Sequence, residues 1–280
     1  MTSETPRSYH YQLIDSTQSE AGRLLGEYTE HRAGPLFTVT AHAQTKGRGR
    51  FNRTWNAAPG TCSLSTIVVR IPGPFAASAP WLTALGAIAA AQIVREAFPA
   101  LAGEVTLKWP NDLQLSGKKF GGVIATALNQ ITADTPWVDV ACGIGVNTTM
   151  TAAQLPVSAA TSLQVELEKR GFTAELSTEQ LRGQIIERVL VLVTRWQEKQ
   201  WDAHASGLAA QYRQSLDTLG KTVIATVLTE AQPRQITGIL TDLTDCGHAL
   251  IATTAGEELV SAGDVTLRTP QKFVTFQEAL

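Results

Sequence analysis

Gln44-Thr-Lys-Gly-Arg-Gly-Arg-Phe-Asn-Arg-Thr-Trp55 places four cations, Lys46, Arg48, Arg50 and Arg53, within eight residues and spaces them with Gly47 and Gly49. Glycine lets a backbone approach a ligand closely and lets a loop move. Arginine grips phosphate and carboxylate through paired hydrogen bonds. The remainder of the chain supplies no such field: its 280 residues carry a net charge of −2, with a pI near 6.2. No global basic surface draws in nucleic acid or anionic lipid, so the cluster calls for a local anion. Taken alone, the run also permits a solvated basic loop, or an RNA contact in which Phe51 and Trp55 stack on bases.

Outward from this loop, β-like and helical stretches alternate. Upstream, Asp15-Ser-Thr17 precedes a helical pattern over Gln18 to Tyr28, and PLFTVTAH (35–42) reads as a strand. Downstream, CSLSTIVV (62–69), Val105 to Trp109, the run beginning at Phe120 and WVDVACGIGV (137–146) are strand-like. Phe75 to Val94 carries no charge and is long enough to span a bilayer. It is mostly alanine, however, with Pro80 and Gln92 inside it, and the spacing predicts a buried helix from about Pro80 to Phe98. Leu181, Ile185, Ile186, Val189, Leu192, Val193 and Trp196 recur at helical spacing, and Ser177 with Gln180 forms a capping box for a helix over Ser177 to Lys199.

From Gly220 the texture changes to short strands (KTVIATVL, RQITGILTDL, HALIATT, EELVSAGDVTLR), with a hairpin turn at Asp245-Cys-Gly247. This predicts a small SH3-like barrel and two domains, 1–214 and 215–280.

Three further motifs carry chemistry. In Lys108-Trp-Pro-Asn-Asp112, Pro110 ends a strand and sets Asn111 and Asp112 at its mouth. Asp112 can hold a hydrated Mg²⁺, and Lys119, before Phe120-Gly-Gly122, would point a compact charge between strands, although on this motif alone an ordinary surface lysine in a turn is the better reading. Gly143-Ile-Gly-Val-Asn147 closes an apolar strand, either as a tight exit into a turn or with its glycines leaving room for a flat ligand and Asn147 offering a donor and an acceptor. Ser16 and Thr17 stand before the first helix as N-caps or as ligand contacts. Leu219-Gly-Lys-Thr222 resembles a P-loop end, but Ser215 stands where the first glycine belongs, and neither Gly47-Arg-Gly49 nor Gly143-Ile-Gly145 completes a dinucleotide fingerprint. Cys62, Cys142 and Cys246 are few, odd in number and far apart, which fits reduced thiols in a cytoplasmic protein, and the five scattered histidines offer no zinc pattern. MTSETPRSYHYQ lacks the apolar core of a signal peptide.

In order and spacing, DSTQ, GRGRFNRTW, KWPNDL with KKFGG, and GIGVN together resemble the signatures of the biotin protein ligase family, spanning Asp15 to Asn147. The resemblance implies an α/β (α+β) fold with a mixed-sheet catalytic domain like that of class II tRNA synthetases. It also implies biotin and ATP as substrates, Mg²⁺ as cofactor, and a biotin carboxyl carrier protein as partner. Biotin contacts would come from Ser16, Thr17, Gln44, Gly47, Arg48, Lys119, Gly122, Gly143 and Gly145. ATP and adenylate contacts would come from Arg48, Arg50, Arg53, Trp55, Asn111, Lys119 and Asn147. Lys119, Arg48 and Asp112 would be catalytic, with Asp112 as the metal ligand. Two positions depart from the pattern: Gln18 replaces an asparagine and Asn52 a frequent glycine. A lipoate-protein ligase shares the fold and reaction but typically carries an RRxxGGG-type run, absent here. A biotin-responsive repressor carries a DNA-binding helix-turn-helix ahead of the catalytic domain. With the pattern starting by Asp15, no DNA binding is expected, and monomer and homodimer both stay open.

Overall fold

The computed structural model describes residues 6–29, 31–172, 176–227, 233–261 and 265–268. The chain forms two compact units, Met1–Asp217 and Thr218–Leu280.

The first unit is built on a seven-stranded mixed sheet. Its strands are β1 (Arg7–Ile14), β2 (Gly34–Gln44), β3 (Cys62–Pro72), β4 (Val105–Lys108), β5 (Asp112–Leu115), β6 (Lys118–Ala127) and β7 (Trp137–Asn147), in the order β1-β2-β3-β7-β6-β5-β4. β1 and β2 run parallel, joined through helix α1 (Thr17–Leu24), and the other neighbours are antiparallel. β3 is buried along nearly its whole length, as expected for a β-branched run with layers on both faces.

The alanine-rich stretch forms the buried helix α2 (Trp81–Ala97). Small residues let it lie close to the sheet: a Cβ at Gly86 would stand 3.0 Å from Cys142 Sγ and 3.1 Å from Val123 Cγ1. Helix α4 (Thr178–Glu198) packs beside α2 and against β2 and β3. Its cap is the Ser177 hydroxyl accepting from Gln180 N–H at 3.1 Å. Leu181, Ile185, Val189, Val193 and Trp196 form its buried stripe, each adding about 1.5–3 kcal/mol by leaving water. Ile186 and Leu192 are only half-buried at its margins. On the opposite face, α1 packs Ala21 and Leu24 against Phe37, Val39 and Val68. No described helix is long and apolar enough to cross a membrane.

Several elements escape the sequence reading: β1, β5, and the short helices α3 (Leu163–Glu168) and α5 (Leu208–Ser215). After α5, Leu216 bridges to Leu107, and Asp217 N–H donates to Leu107 O at 2.9 Å.

The second unit is an antiparallel five-stranded sheet of β8 (Thr222–Val227), β9 (Arg234–Leu243), β10 (Ala249–Thr253), β11 (Gly256–Val260) and β12 (Val265–Arg268), ordered β11-β10-β9-β8-β12. The β9–β10 hairpin turns where expected, with Gly247 at φ 78° and its N–H donating to Thr244 O at 2.8 Å. EELVSAGDVTLR, read as one strand, contains two that lie at opposite edges of this sheet. Leu228 of the first predicted strand, and Ala262, Gly263 and Asp264 of the last, lie outside the described residues.

Candidate active site

The parallel β1–β2 pair locates the site. Ile14 and Gln44 are register partners, so both chains leave the sheet side by side. Thr45 N–H donates to Ile14 O at 2.9 Å, and Lys46 N–H to Asp15 O at 2.7 Å. The DSTQ and basic-loop motifs are therefore zipped together at strand ends where α1 begins, a usual place for ligands in open α/β sheets.

Here Gln44 Oε1 accepts from Thr17 N–H at 2.7 Å and from Thr17 Oγ1 at 3.1 Å, and Thr66 Oγ1 donates to Thr17 Oγ1 at 2.9 Å. Ser16 occupies the N-cap position, yet its hydroxyl makes no cap bond. It is 1% exposed and has no hydrogen-bond partner among the described residues. An orphaned buried hydroxyl costs about 1–3 kcal/mol, a cost that a polar ligand would relieve.

The basic run folds as a small hairpin rather than an open loop. Trp55 N–H returns to Gly47 O at 2.9 Å, Gly49 N–H reaches Arg53 O at 2.7 Å, and Phe51 takes a left-handed conformation at φ 56°. Gly47 is demanded by this closure: a Cβ there would stand 2.4 Å from Trp55 O. Lys46, Arg48 and Arg53 are exposed. Arg50 is half-buried, lies over the Phe51 ring and donates to Asn111 Oδ1 at 3.2 Å. The side chain of Asn52 lies outside the described residues.

Asn111 thus joins the basic hairpin to the KWPND segment. Its Nδ2 donates to Val123 O at 3.0 Å, and Val123 N–H donates to Asn111 O at 2.9 Å. Across the β5–β6 hairpin, Asp112 and Lys119 form an ion pair. Lys119 is also held by its backbone, donating to Ala159 O at 3.0 Å and accepting from Thr161 N–H at 2.8 Å. Its side chain folds back over Gly122, where a Cβ would meet Cε and Nζ at 3.4 Å.

Strand register gives the floor. Asp112, Gly122, Gly145 and Leu64 are successive partners across β5, β6, β7 and β3, and the neighbouring row runs Ile124, Gly143, Thr66. Three glycines on adjacent strands strip this face of side chains. The open room expected over Gly143 and Gly145 is nonetheless filled by the protein. A Cβ at Gly143 would lie 2.5 Å from Gln18 Nε2, and one at Gly145 would lie 2.9 Å from the Trp55 ring.

Gln18 is a tether, donating to Ile124 O at 2.9 Å and Ala141 O at 3.2 Å. Asn147, expected to face a ligand, is spent on the fold. Its Nδ2 donates to Thr161 O at 2.9 Å, and its Oδ1 accepts from Cys62 Sγ at 3.3 Å. Burial pushes that thiol up to about 12, so it stays protonated and serves as the donor.

The structure therefore brings Ser16, Thr17, Gln44 and Gly47 together on one flank and Asn111, Asp112, Lys119 and Gly122 on the other, with Trp55 against Gly145 on the floor. Sequence reasoning missed Thr66 and Thr161, whose parts depend on strand register and on distant backbone. Among the described residues no cluster of three or more His, Cys, Asp or Glu could hold a metal by itself.

Residues 11–147 match the Biotin/lipoate A/B protein ligase family. Over 229 residues the chain is 27% identical to a biotin–[acetyl-CoA-carboxylase] ligase of Mycobacterium tuberculosis, covering 81% of this chain and 77% of that protein. A Paracoccus denitrificans protein of the same name is 28% identical over 268 residues, covering 90% of this chain and 96% of its own length. Among solved structures, the biotin protein ligase of Aquifex aeolicus in complex with biotin and ATP has a TM-score of 0.69 at 23% identity, covering 95% of this chain and all of that one. With its four motifs gathered at one end of the first unit's sheet, the chain matches the Biotin/lipoate A/B protein ligase family over residues 11–147 and is similar to biotin protein ligases over most of its length.

Proposed function

We propose that the chain activates biotin with ATP to give biotinyl-5′-AMP and pyrophosphate, and then passes the biotinyl group to one lysine of a biotin carboxyl carrier domain. The observation that carries this reading is the Lys119–Asp112 pair over bare Gly122, facing a hairpin of cations across a sheet face stripped to glycine.

The chemistry explains the charge. An oxygen of the biotin carboxylate attacks the α-phosphorus of ATP, and the bond to the pyrophosphate oxygen breaks. Two unit charges 4 Å apart repel by about 4 kcal/mol at an effective dielectric near 20. Lys119 and Arg48 offset that repulsion, while Arg50 and Arg53 hold the departing phosphates. The orphaned Ser16 hydroxyl, with Thr17 and Gln44 beside it, favours a polar ring such as biotin's ureido group over an apolar dithiolane. Trp55 covers the adenylate, and closure of the Gly47–Trp55 hairpin keeps water from the mixed anhydride. The carrier amine then attacks the biotinyl carbonyl carbon, AMP departs and the amine loses a proton.

Mg²⁺ fits here as an ion carried on the nucleotide. Asp112 is one carboxylate beside a phosphate-binding hairpin, the donor set this ion uses with substrate phosphates. Bound there, it would neutralise phosphate charge. We assign catalysis to the first unit, of class II synthetase type, and read the second as a small SH3-like domain. The three free thiols fit a reducing cytoplasm.

The test is incubation with biotin or lipoate, ATP, Mg²⁺ and a carrier domain, followed by intact-mass analysis. Gain of one biotinyl group on a single carrier lysine is expected. Transfer of lipoate in preference to biotin, or no transfer of either, would overturn the reading.

A further inference from the structure

Tyr212, on α5, lies outside every motif of the sequence, yet it touches the site's central segment. Its hydroxyl donates to Pro110 O at 2.8 Å, and the residue is 2% exposed. Pro110 immediately precedes Asn111, which meets Arg50, and Asp112, which pairs with Lys119. Among the described residues no hydrogen bond or ion pair to a charged side chain spends the hydroxyl, and the ring packs edge-on against Trp81 of α2 with centroids 6.2 Å apart. Burial, and next the negative charge of Asp112, push the phenol well above its ordinary range while Arg50 pulls it back. The group therefore remains a proton donor throughout the working range, and it lies within the electrostatic reach of both site residues.

We propose that Tyr212 is a positioning residue for adenylation: its hydrogen bond to Pro110 sets the turn that carries Asn111 and Asp112, and through Asp112 the place of the Lys119 ammonium. This rests on the reading of Lys119 as the group that meets the reacting anions. Two of the turn's supports come from different sides. One comes from within the sheet, where Asn111 exchanges hydrogen bonds with Val123. The other comes from α5. Removing the second leaves the segment paired to β6 but free to shift away from the sheet. Reacting groups held at near-attack distance lose rate steeply with displacements of about 1 Å. Biotin's polar contacts at Ser16, Thr17 and Gln44 stand on other elements, so they should not feel the change.

The test compares Tyr212→Phe with Gln211→Ala, which cuts a neighbouring tie of the same helix, the 2.9 Å hydrogen bond from Gln92, and leaves the tyrosine intact. Biotin-dependent pyrophosphate release and thermal midpoint are measured for both variants and for the unaltered enzyme. Tyr212→Phe should lower kcat about tenfold with biotin KM within about twofold, whereas Gln211→Ala should keep kcat even where it lowers the midpoint. Unchanged kcat in Tyr212→Phe would overturn the proposal. So would losses of kcat that merely track the fall in midpoint across the two variants, including a Tyr212→Phe protein that no longer folds while Gln211→Ala loses rate in step. Absence of biotin-dependent release in the unaltered enzyme would instead remove the functional reading itself.

Discussion

Lys119 and Asp112 show how a single pair acquires a role that neither residue has in sequence. In the run GKKF alone the lysine reads better as an ordinary surface charge in a turn. Register makes the difference: Asp112 pairs with Gly122, and the lysine side chain lies back along that glycine towards the carboxylate. The ammonium is thereby drawn over the sheet towards Asp112. Lys119→Ala should retain the fold, because the backbone bonds to Ala159 and Thr161 do not need the side chain. It should lose at least ~100-fold in biotin-dependent pyrophosphate release, the scale expected for a group that stabilises charge in the transition state. Near-normal release with an unchanged thermal midpoint would remove Lys119 from the chemistry. Gln18 and Asn147 teach the opposite lesson. Both are amides in motif positions, and both donate to backbone carbonyls of the fold. An amide has donors and acceptors for either purpose, and only the surrounding carbonyls decide which is used.

Elements differ in legibility for physical reasons. β3 and β7 announce themselves as long runs rich in apolar and β-branched residues because layers cover both faces. β1 does not: at the sheet edge it half-buries only Tyr9, Tyr11 and Ile14, and its other residues are exposed. β5 is four residues long and begins at Asp112, two positions after a proline, so its start reads as a turn. The four motifs were legible as a set, but their meeting point was not, since it depends on β1 running parallel to β2. The basic hairpin adds a feature no composition reveals, its closure by Gly47. A Cβ at Gly47 meets the Trp55 carbonyl oxygen at 2.4 Å, and backbone cannot yield as a side-chain tip can. At Gly49 the nearest atom is 3.3 Å away. Gly47→Ala should therefore open the hairpin and lower kcat/KM for ATP by about tenfold or more, with little change in thermal midpoint because the hairpin lies at the surface. Gly49→Ala should stay within about threefold of the unaltered enzyme. Steady-state kinetics with ATP as the varied substrate distinguish them, and equal effects at the two positions would refute the closure argument.

At the scale of the whole molecule, the two ends of the β3–β7 pair divide the work between stability and binding. One end carries Cys62 opposite Asn147 and the bare glycine row; the other carries Arg70 opposite Asp139, about 26 Å away at strand rise. Arg70 and Asp139 form a buried bidentate ion pair, with contacts of 2.7 and 3.0 Å. The proposed ligand end has no buried bidentate ion pair among the described residues, and it is braced from outside the sheet by Glu166 of α3. That carboxylate is 2% exposed and accepts from Thr161 Oγ1 at 2.7 Å, Lys169 Nζ at 2.7 Å and Arg170 Nη1 at 2.9 Å. Thr161 in turn holds the Lys119 backbone and the Asn147 amide. Burial pushes the Glu166 carboxyl up, but Lys169, Thr161 and Arg170 overcome it and hold the group at about 2, against an ordinary value of 4.5. A folded value below the unfolded one means that the stabilisation is complete above about pH 4.5 and drains away as pH falls towards 2. Glu166→Gln keeps the shape and removes the charge. It should cost about 1–3 kcal/mol at pH 7, since Lys169 and Arg170 retain partial access to water. It should also flatten the fall in stability between pH 4.5 and 2 relative to the unaltered protein. Urea midpoints at pH 7, 4 and 3 measure both effects, and parallel curves for the two proteins across that acid range would show that Glu166 is not the group whose protonation loosens the ligand end.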